Sequence, residues 1–270
     1  MERLRRALDR ARAERDTKLR IAAQIATEHR PIVAAPEPFV LTHTRIASTD
    51  SSLLRANQVM SADAVGPVGP AFKMLRTQVL QRIRSRNWNT LAVVSATPGD
   101  GKTFTAINLA IAIAGDPNHT ALLTDLDFHH PSVHKRFGIQ PTFGIEDCLR
   151  GDSTISDALV SPQGYRKLLL LPARGPVPDS SELLASERSR RVVRELKDRY
   201  PNRIVLFDLP PVLGGDDALA FAPQVDAVLM VVGEERTRRE DLLRSFEILR
   251  NIPIVGTVLN GSRTDPALVY

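Results

Sequence analysis

Leu91-Ala-Val-Val-Ser95, Ala96-Thr-Pro-Gly-Asp-Gly-Lys-Thr103 and Phe104-Thr-Ala-Ile-Asn-Leu-Ala-Ile-Ala-Ile-Ala114 follow one another without a break. The first is a short apolar run ending in turn formers, which predicts a strand buried on both faces. The third is apolar at helical spacing and holds no Gly or Pro, which predicts a helix. The middle segment matches [AG]-x4-G-K-[ST] in the strand–loop–helix setting that gives this pattern chemical meaning. Gly99 and Gly101 let the backbone bend until successive N–H groups face one anion, which a Cβ would obstruct. The helix starting near Lys102 adds its positive end, worth about 1 kcal/mol to a nearby phosphate. Lys102 is expected to reach the β- and γ-phosphates of a nucleotide, and the Thr103 hydroxyl to hold Mg²⁺. ATP and Mg²⁺ are thus the expected cofactors, and Pro98, Gly99, Asp100, Gly101, Lys102, Thr103 and Phe104 the expected phosphate-loop residues.

Outward from this loop, short runs of Val, Ile, Leu and Ala recur at Leu91–Ser95, Ala121–Thr124, Leu168–Leu171, Ile204–Phe207, Ala227–Val232 and Ile254–Leu259. Helical segments lie between them, an alternation that argues for an α/β fold with a mostly parallel central sheet flanked by helices. The amphipathic stretch Ala71–Arg84, with Phe72, Leu75, Val79, Leu80 and Ile83, opens this domain, which is expected to span 71–270 with a mobile tail from about 261. Residues 1–30 read as a basic helix with a thin apolar stripe, an N-terminal extension. Residues 31–70, broken by Pro31, Pro36 and Pro38, read as a linker with a short helix near Ser51–Met60.

Two strands end in acids. Ala121-Leu-Leu-Thr124 runs into Asp125-Leu-Asp127, and Ile204-Val-Leu-Phe207 into Asp208-Leu-Pro-Pro211. Residues i and i+2 of a strand point the same way, so Asp125 and Asp127 are expected to face one site at the carboxyl end of the sheet, where ligands of open α/β folds bind. A single strand-end Asp is more simply a helix cap. Two such ends beside a phosphate loop point instead to a metal–nucleotide site with Thr103, Asp125 and Asp208 around Mg²⁺.

These motifs resemble the bacterial tyrosine kinases (BY-kinases) of exopolysaccharide and capsule synthesis. The similarity covers about Ala71–Asn260 and includes Phe72-Lys-Met-Leu-Arg-Thr-Gln-Val79, Pro131-Ser-Val-His134, Glu182-Leu-Leu-Ala-Ser186, Asp208-Leu-Pro-Pro-Val-Leu213 and Val225-Asp-Ala-Val-Leu-Met-Val-Val232. It looks closest to the separate-chain cytoplasmic kind, which works with a membrane chain-length-determinant adaptor. The resemblance implies a P-loop fold and an ATP-dependent tyrosine autokinase held at the inner membrane by its partner. Lys102 and Thr103 would form Walker A, Asp125 and Asp127 Walker A′, and Asp208 the Walker B aspartate. Asp125 or Asp127 would take the phenol proton, and the γ-phosphate would go to Tyr270, the sole tyrosine of the tail. Three departures stand out. His129 replaces an arginine two residues after Asp127, the self-association motif is reduced to Pro70-x-x-Lys73-x-x-Arg76, and the tyrosine cluster to Tyr270. The alternatives are a nucleotide switch like the septum-placing ATPases and a silent binding subunit. The early loop positions Ala96, Thr97 and Pro98 lack the second lysine of those switches, which argues against the first.

Composition bounds the rest. One cysteine among 270 residues excludes a disulfide framework. Met1-Glu2-Arg3-Leu4-Arg5-Arg6 leads into more charge rather than an apolar region, so no signal peptide is expected, and no apolar run approaches the length of a membrane span. The net charge is +5, with eight Lys/Arg against four Asp/Glu in residues 1–20. At about 1 kcal/mol per charge near anionic lipid, that +4 supplies at most ~4 kcal/mol, a Kd of about 1 mM, so a protein partner must do the anchoring. No feature calls for a specific nucleic acid. His129, His130 and His134 lack a well-spaced further zinc ligand, and His129 fits better as a donor on the phosphate side. Asp217 reads either as a residue near Mg²⁺ or as a helix N-cap. Asn260 ends the last strand, where related folds contact adenine. Tyr165, Tyr200 and Trp88 read as packing residues.

Overall fold

The computed structural model describes residues 44–63, 68–200 and 202–262. The expected N-terminal helix and Tyr270 lie outside the described residues. Within them, strands β1 (Arg45–Ala47), β2 (Thr90–Ser95), β3 (Thr120–Asp125), β4 (Val160–Pro162), β5 (Leu168–Leu171), β6 (Arg203–Asp208), β7 (Ala227–Gly233) and β8 (Ile254–Asn260) form one sheet. Its order is β1-β4-β5-β3-β6-β2-β7-β8, and every neighbouring pair is parallel except β4 with β5. Every residue of β2, β5 and β6 is buried, which is why these strands read as unbroken apolar runs rather than alternating ones.

The helices are α1 (Ser51–Ala56), α2 (Gly69–Arg84), α3 (Lys102–Ala114), α4 (Val133–Phe137), α5 (Ile145–Arg150), α6 (Ile155–Ala158), α7 (Ser180–Ala185), α8 (Glu187–Asp198), α9 (Asp217–Phe221) and α10 (Arg239–Ile248). Helix α3 is buried continuously from Thr105 to Ile113 and packs on β2, β3 and β6. A helix apolar all round belongs in a core, and this one fixes the phosphate loop to the middle of the sheet. Helix α2 covers α3 in turn, with Phe72 meeting Phe104 edge to face at 5.6 Å. The mostly parallel sheet, flanked by helices and carrying a phosphate loop after β2, is a P-loop NTPase fold.

The stretch expected to be a linker differs in part. Strand β1 pairs with β4, with Arg45 opposite Val160. Asp50 caps α1 by accepting from the N–H groups of Ser52 and Leu53. Met60 is buried; its N–H donates to Asn108 Oδ1 at 2.8 Å, and its carbonyl accepts from the Tyr165 hydroxyl at 2.8 Å. Residues 44–60 are therefore part of the folded unit, with β1 at the edge of the sheet. Tyr165 packs as expected, its ring edge to face with Phe137 at 5.7 Å. Trp88 packs against the core, with the Arg86 guanidinium 4.6 Å from its ring centre. Tyr200 departs from the expectation: it is 44% exposed, with the Arg203 guanidinium stacked 4.0 Å from its ring centre.

Candidate active site

Adjacency of β3, β6 and β2 gathers the three motifs at one end of the sheet. Asp125 and Asp208 are register partners on β3 and β6, and the phosphate loop leaves the neighbouring β2. Gly99 (φ +86°) and Gly101 (φ +92°) both hold left-handed backbone, the conformation for which the loop needs glycine. The Lys102 ammonium lies 2.5 Å from Asp127 Oδ2 and 3.8 Å from Asp208 Oδ1. Burial opposes its charge, but the carboxylates of Asp208, Asp127 and Asp125 outweigh burial and hold its pKa above the ordinary lysine range.

The three carboxylates differ in their partners. Asp125 Oδ2 accepts from the N–H groups of Ser132 (2.9 Å) and Val133 (3.0 Å), and Oδ1 from Asp127 N–H at 3.3 Å. It thus fixes the start of α4, the capping role a strand-end Asp can have, while remaining beside Asp208. Burial, reinforced by Asp208, pushes Asp125 up to about 7 against the pull of those amides and Lys102. Asp127 turns to Lys102 and accepts from His130 N–H at 3.1 Å. Asp208 is fully buried, and neither carboxylate oxygen has a hydrogen-bond partner among the described residues. Burial raises its pKa against the pull of Lys102. A fully buried carboxylate beside the Thr103 hydroxyl, with Lys102 at 3.8 Å, is a fitting donor set for Mg²⁺, which takes one or two carboxylates together with substrate phosphates.

The other residues singled out in the sequence fall into place around this centre. Phe104 packs on Phe72 beneath the loop. Asn260 reaches the loop itself, its Nδ2 donating to the Asp100 carbonyl at 2.9 Å. With Gly99, Asp100, Arg236 and Gly261 it lines a cleft of about 400 Å³ beside the loop. Asp217 is no N-cap: Asp216 holds that position, without a side-chain bond, while Asp217 Oδ2 lies 2.9 Å from His129 Nε2. His129 is thus oriented by a buried acid. Burial lowers the pKa of His134. Among the described residues no group of three His, Cys, Asp or Glu side chains is placed to hold a metal ion by itself.

Sequence reasoning passed over the turn after β7. Arg236 Nη1 donates to the Gly99 carbonyl at 3.0 Å, and Glu235 holds left-handed backbone (φ +58°) to make that turn. Gly233 permits the approach, since a Cβ there would lie 3.0 Å from Asp100 Oδ1. The segment Gly233-Glu-Glu-Arg-Thr237 carries no spacing rule that announces a loop contact.

No family model matches the chain. Over 195 residues it is 29% identical to the tyrosine-protein kinase YwqD of Bacillus subtilis, covering 71% of this chain and 80% of that one. It is 33% identical over 195 residues to the succinoglycan biosynthesis transport protein ExoP of Rhizobium meliloti, covering 70% of this chain and 24% of that one. Among solved structures, the kinase domain of the Escherichia coli tyrosine kinase ETK is 28% identical with a TM-score of 0.66, over 74% of this chain and 79% of that one. The chain therefore spans most of YwqD but about a quarter of the length of ExoP and similar relatives.

Proposed function

As the chain belongs to the family of bacterial tyrosine-protein kinases, we propose that it is an ATP-dependent protein-tyrosine autokinase. The observation that carries this reading is the single cluster formed by the phosphate-loop Lys102, Asp127 and the fully buried Asp208. Phosphates entering the loop compete with Asp127 for the Lys102 ammonium, and the competition frees Asp127 as a base. Asp127 suits that step better than Asp125, whose two oxygens are held by backbone amides. The phenol oxygen attacks the γ-phosphorus, the bond to the β,γ-bridging oxygen breaks, ADP leaves, and the phenol proton passes to Asp127. Thr103, Asp125 and Asp208 are the residues that would hold Mg²⁺, which supplies charge neutralisation at the phosphate oxygens when bound.

Further parts of the reading rest on the resemblance and on relatives named for polysaccharide transport. The acceptor is Tyr270. The process controlled is exopolysaccharide or capsule polymerisation or export, with a membrane chain-length-determinant protein as partner and self-association as a further contact. No helix among the described residues is long and apolar enough to cross a membrane, so a position at the inner-membrane surface would come from that partner. The test is incubation of the purified full chain with labelled Mg-ATP, with and without the partner, followed by mass spectrometry. Phosphate on Tyr270 that vanishes in Lys102→Ala is the expected result. ATP hydrolysis without phosphotyrosine would transfer the case to a nucleotide switch, and neither activity to a silent binding subunit.

A further inference from the structure

The phosphate loop is held from outside by two side chains that belong to different parts of the chain. Arg236, in the turn after β7, donates from Nη1 to the Gly99 carbonyl at 3.0 Å. Asn260, the last residue of β8, donates from Nδ2 to the Asp100 carbonyl at 2.9 Å. These are two consecutive peptide groups of the loop. In a trans peptide the carbonyl of one residue and the N–H of the next point in opposite directions. Fixing the Gly99 carbonyl on Arg236 therefore aims the Asp100 N–H the other way, and fixing the Asp100 carbonyl on Asn260 does the same for the Gly101 N–H. Those amides belong to the run that cradles phosphates in a loop of this pattern.

The packing is close enough to make the arrangement specific. A Cβ on Gly101 would come 1.9 Å from Asn260 Nδ2, so Asn260 lies directly against the loop backbone. Asp100 completes the frame from within. It is buried, and its Oδ2 accepts from both the N–H and the hydroxyl of Thr97 at 3.1 Å. We propose that Arg236 and Asn260 are positioning residues that pre-set two phosphate-facing amides of the loop before nucleotide arrives, so that binding requires no peptide rotation. This rests on the phosphate-binding reading of the loop and assigns to Asn260 a role on the loop backbone beside any contact with a base.

The discriminating probe is inorganic tripolyphosphate, which has no base or sugar. Its affinity for the full-length protein is measured by calorimetry beside that of ATP, for wild type, Arg236→Ala, Arg236→Lys, Asn260→Ala and the double alanine variant. Pre-setting of the loop predicts that each alanine variant weakens tripolyphosphate and ATP alike, by about fivefold, the scale of one net hydrogen bond. The two losses should multiply in the double variant, and Arg236→Lys, which keeps a donor, should recover most of the affinity. Thermal melting of each variant checks that folding is intact. Weakening confined to ATP, with tripolyphosphate unchanged, would overturn the inference and make these residues base contacts. A lowered melting temperature with both affinities unchanged would overturn it as well, leaving only a structural tie. Failure of wild type to bind tripolyphosphate or ATP would instead remove the phosphate-binding reading beneath it.

Discussion

Asp208 stands out at the residue scale because its surroundings suit function better than stability. A fully buried carboxylate is a cost to the folded state, relieved only in part by Lys102 at 3.8 Å and the nearby Thr103 hydroxyl. Replacing it by the isosteric amide removes the buried charge. Asp208→Asn is therefore expected to leave the nucleotide-free protein as stable as wild type or about 1 kcal/mol more stable by denaturant titration. The same change removes a charge from the proposed Mg²⁺ site and should lower phosphoryl transfer by about 100-fold or more. A variant that lost stability and kept transfer would show that Asp208 is a structural partner of Lys102. Asp127 differs in kind, since one of its oxygens accepts from a backbone amide, that of His130, and the other from the Lys102 ammonium. That contrast between Asp125 and Asp127, two residues apart, could not be read from a strand-end Asp-Leu-Asp; it depends on where Ser132 and Val133 return to the strand.

The elements show which parts of the pattern travel from sequence to structure. Six strands were legible, because each is an apolar run of four residues or more, buried in all but the edge strand β8. Strands β1 and β4, three residues each and carrying Arg45 and Pro162, offer no such run, and their pairing is decided by tertiary contact. The phosphate loop and its two acidic partners were legible for the same reason as their strands. Arg236 was not, because its role depends on a turn that only the sheet order brings over Gly99. A less visible tie fixes the start of β2. Asp226 accepts from the N–H groups of Asn89 and Thr90, from the Thr90 hydroxyl, and from Lys197 beside the end of α8. Burial alone would raise its pKa, but these donors more than offset that and lower it below its ordinary value of 3.8. The depressed value means the stabilisation is complete above about pH 4 and is lost as pH falls through the folded-state pKa. Asp226→Asn is expected to cost about 1–2 kcal/mol at neutral pH and to flatten the acid limb of a stability–pH curve below pH 4. An unchanged acid limb would remove Asp226 from the account.

At the scale of the whole molecule the question is where the folded unit begins. Composition placed its start near Ala71, yet β1, α1 and Met60 tie residues 44–60 to β4, Asn108 and Tyr165. Asp50 adds a backbone bond to the Phe137 carbonyl at 3.2 Å. Residues 1–29 differ from this stretch in composition: they are basic, with only a thin apolar stripe to bury. Two truncations separate these cases. Removing residues 1–29 is expected to leave the melting temperature and ATP affinity at their wild-type values while weakening recruitment to vesicles that carry the proposed membrane partner. Removing residues 1–62 takes away the edge strand, the buried Met60 side chain and the acceptor of the Tyr165 hydroxyl. Loss of a buried methionine and of satisfied buried polar groups costs on the order of 3–5 kcal/mol, so this variant should melt well below wild type. Calorimetry on both reads the difference directly. A lowered melting temperature in the shorter truncation would place residues 1–29 in the folded core, and an unaltered one in the longer truncation would show that the edge strand adds nothing to stability.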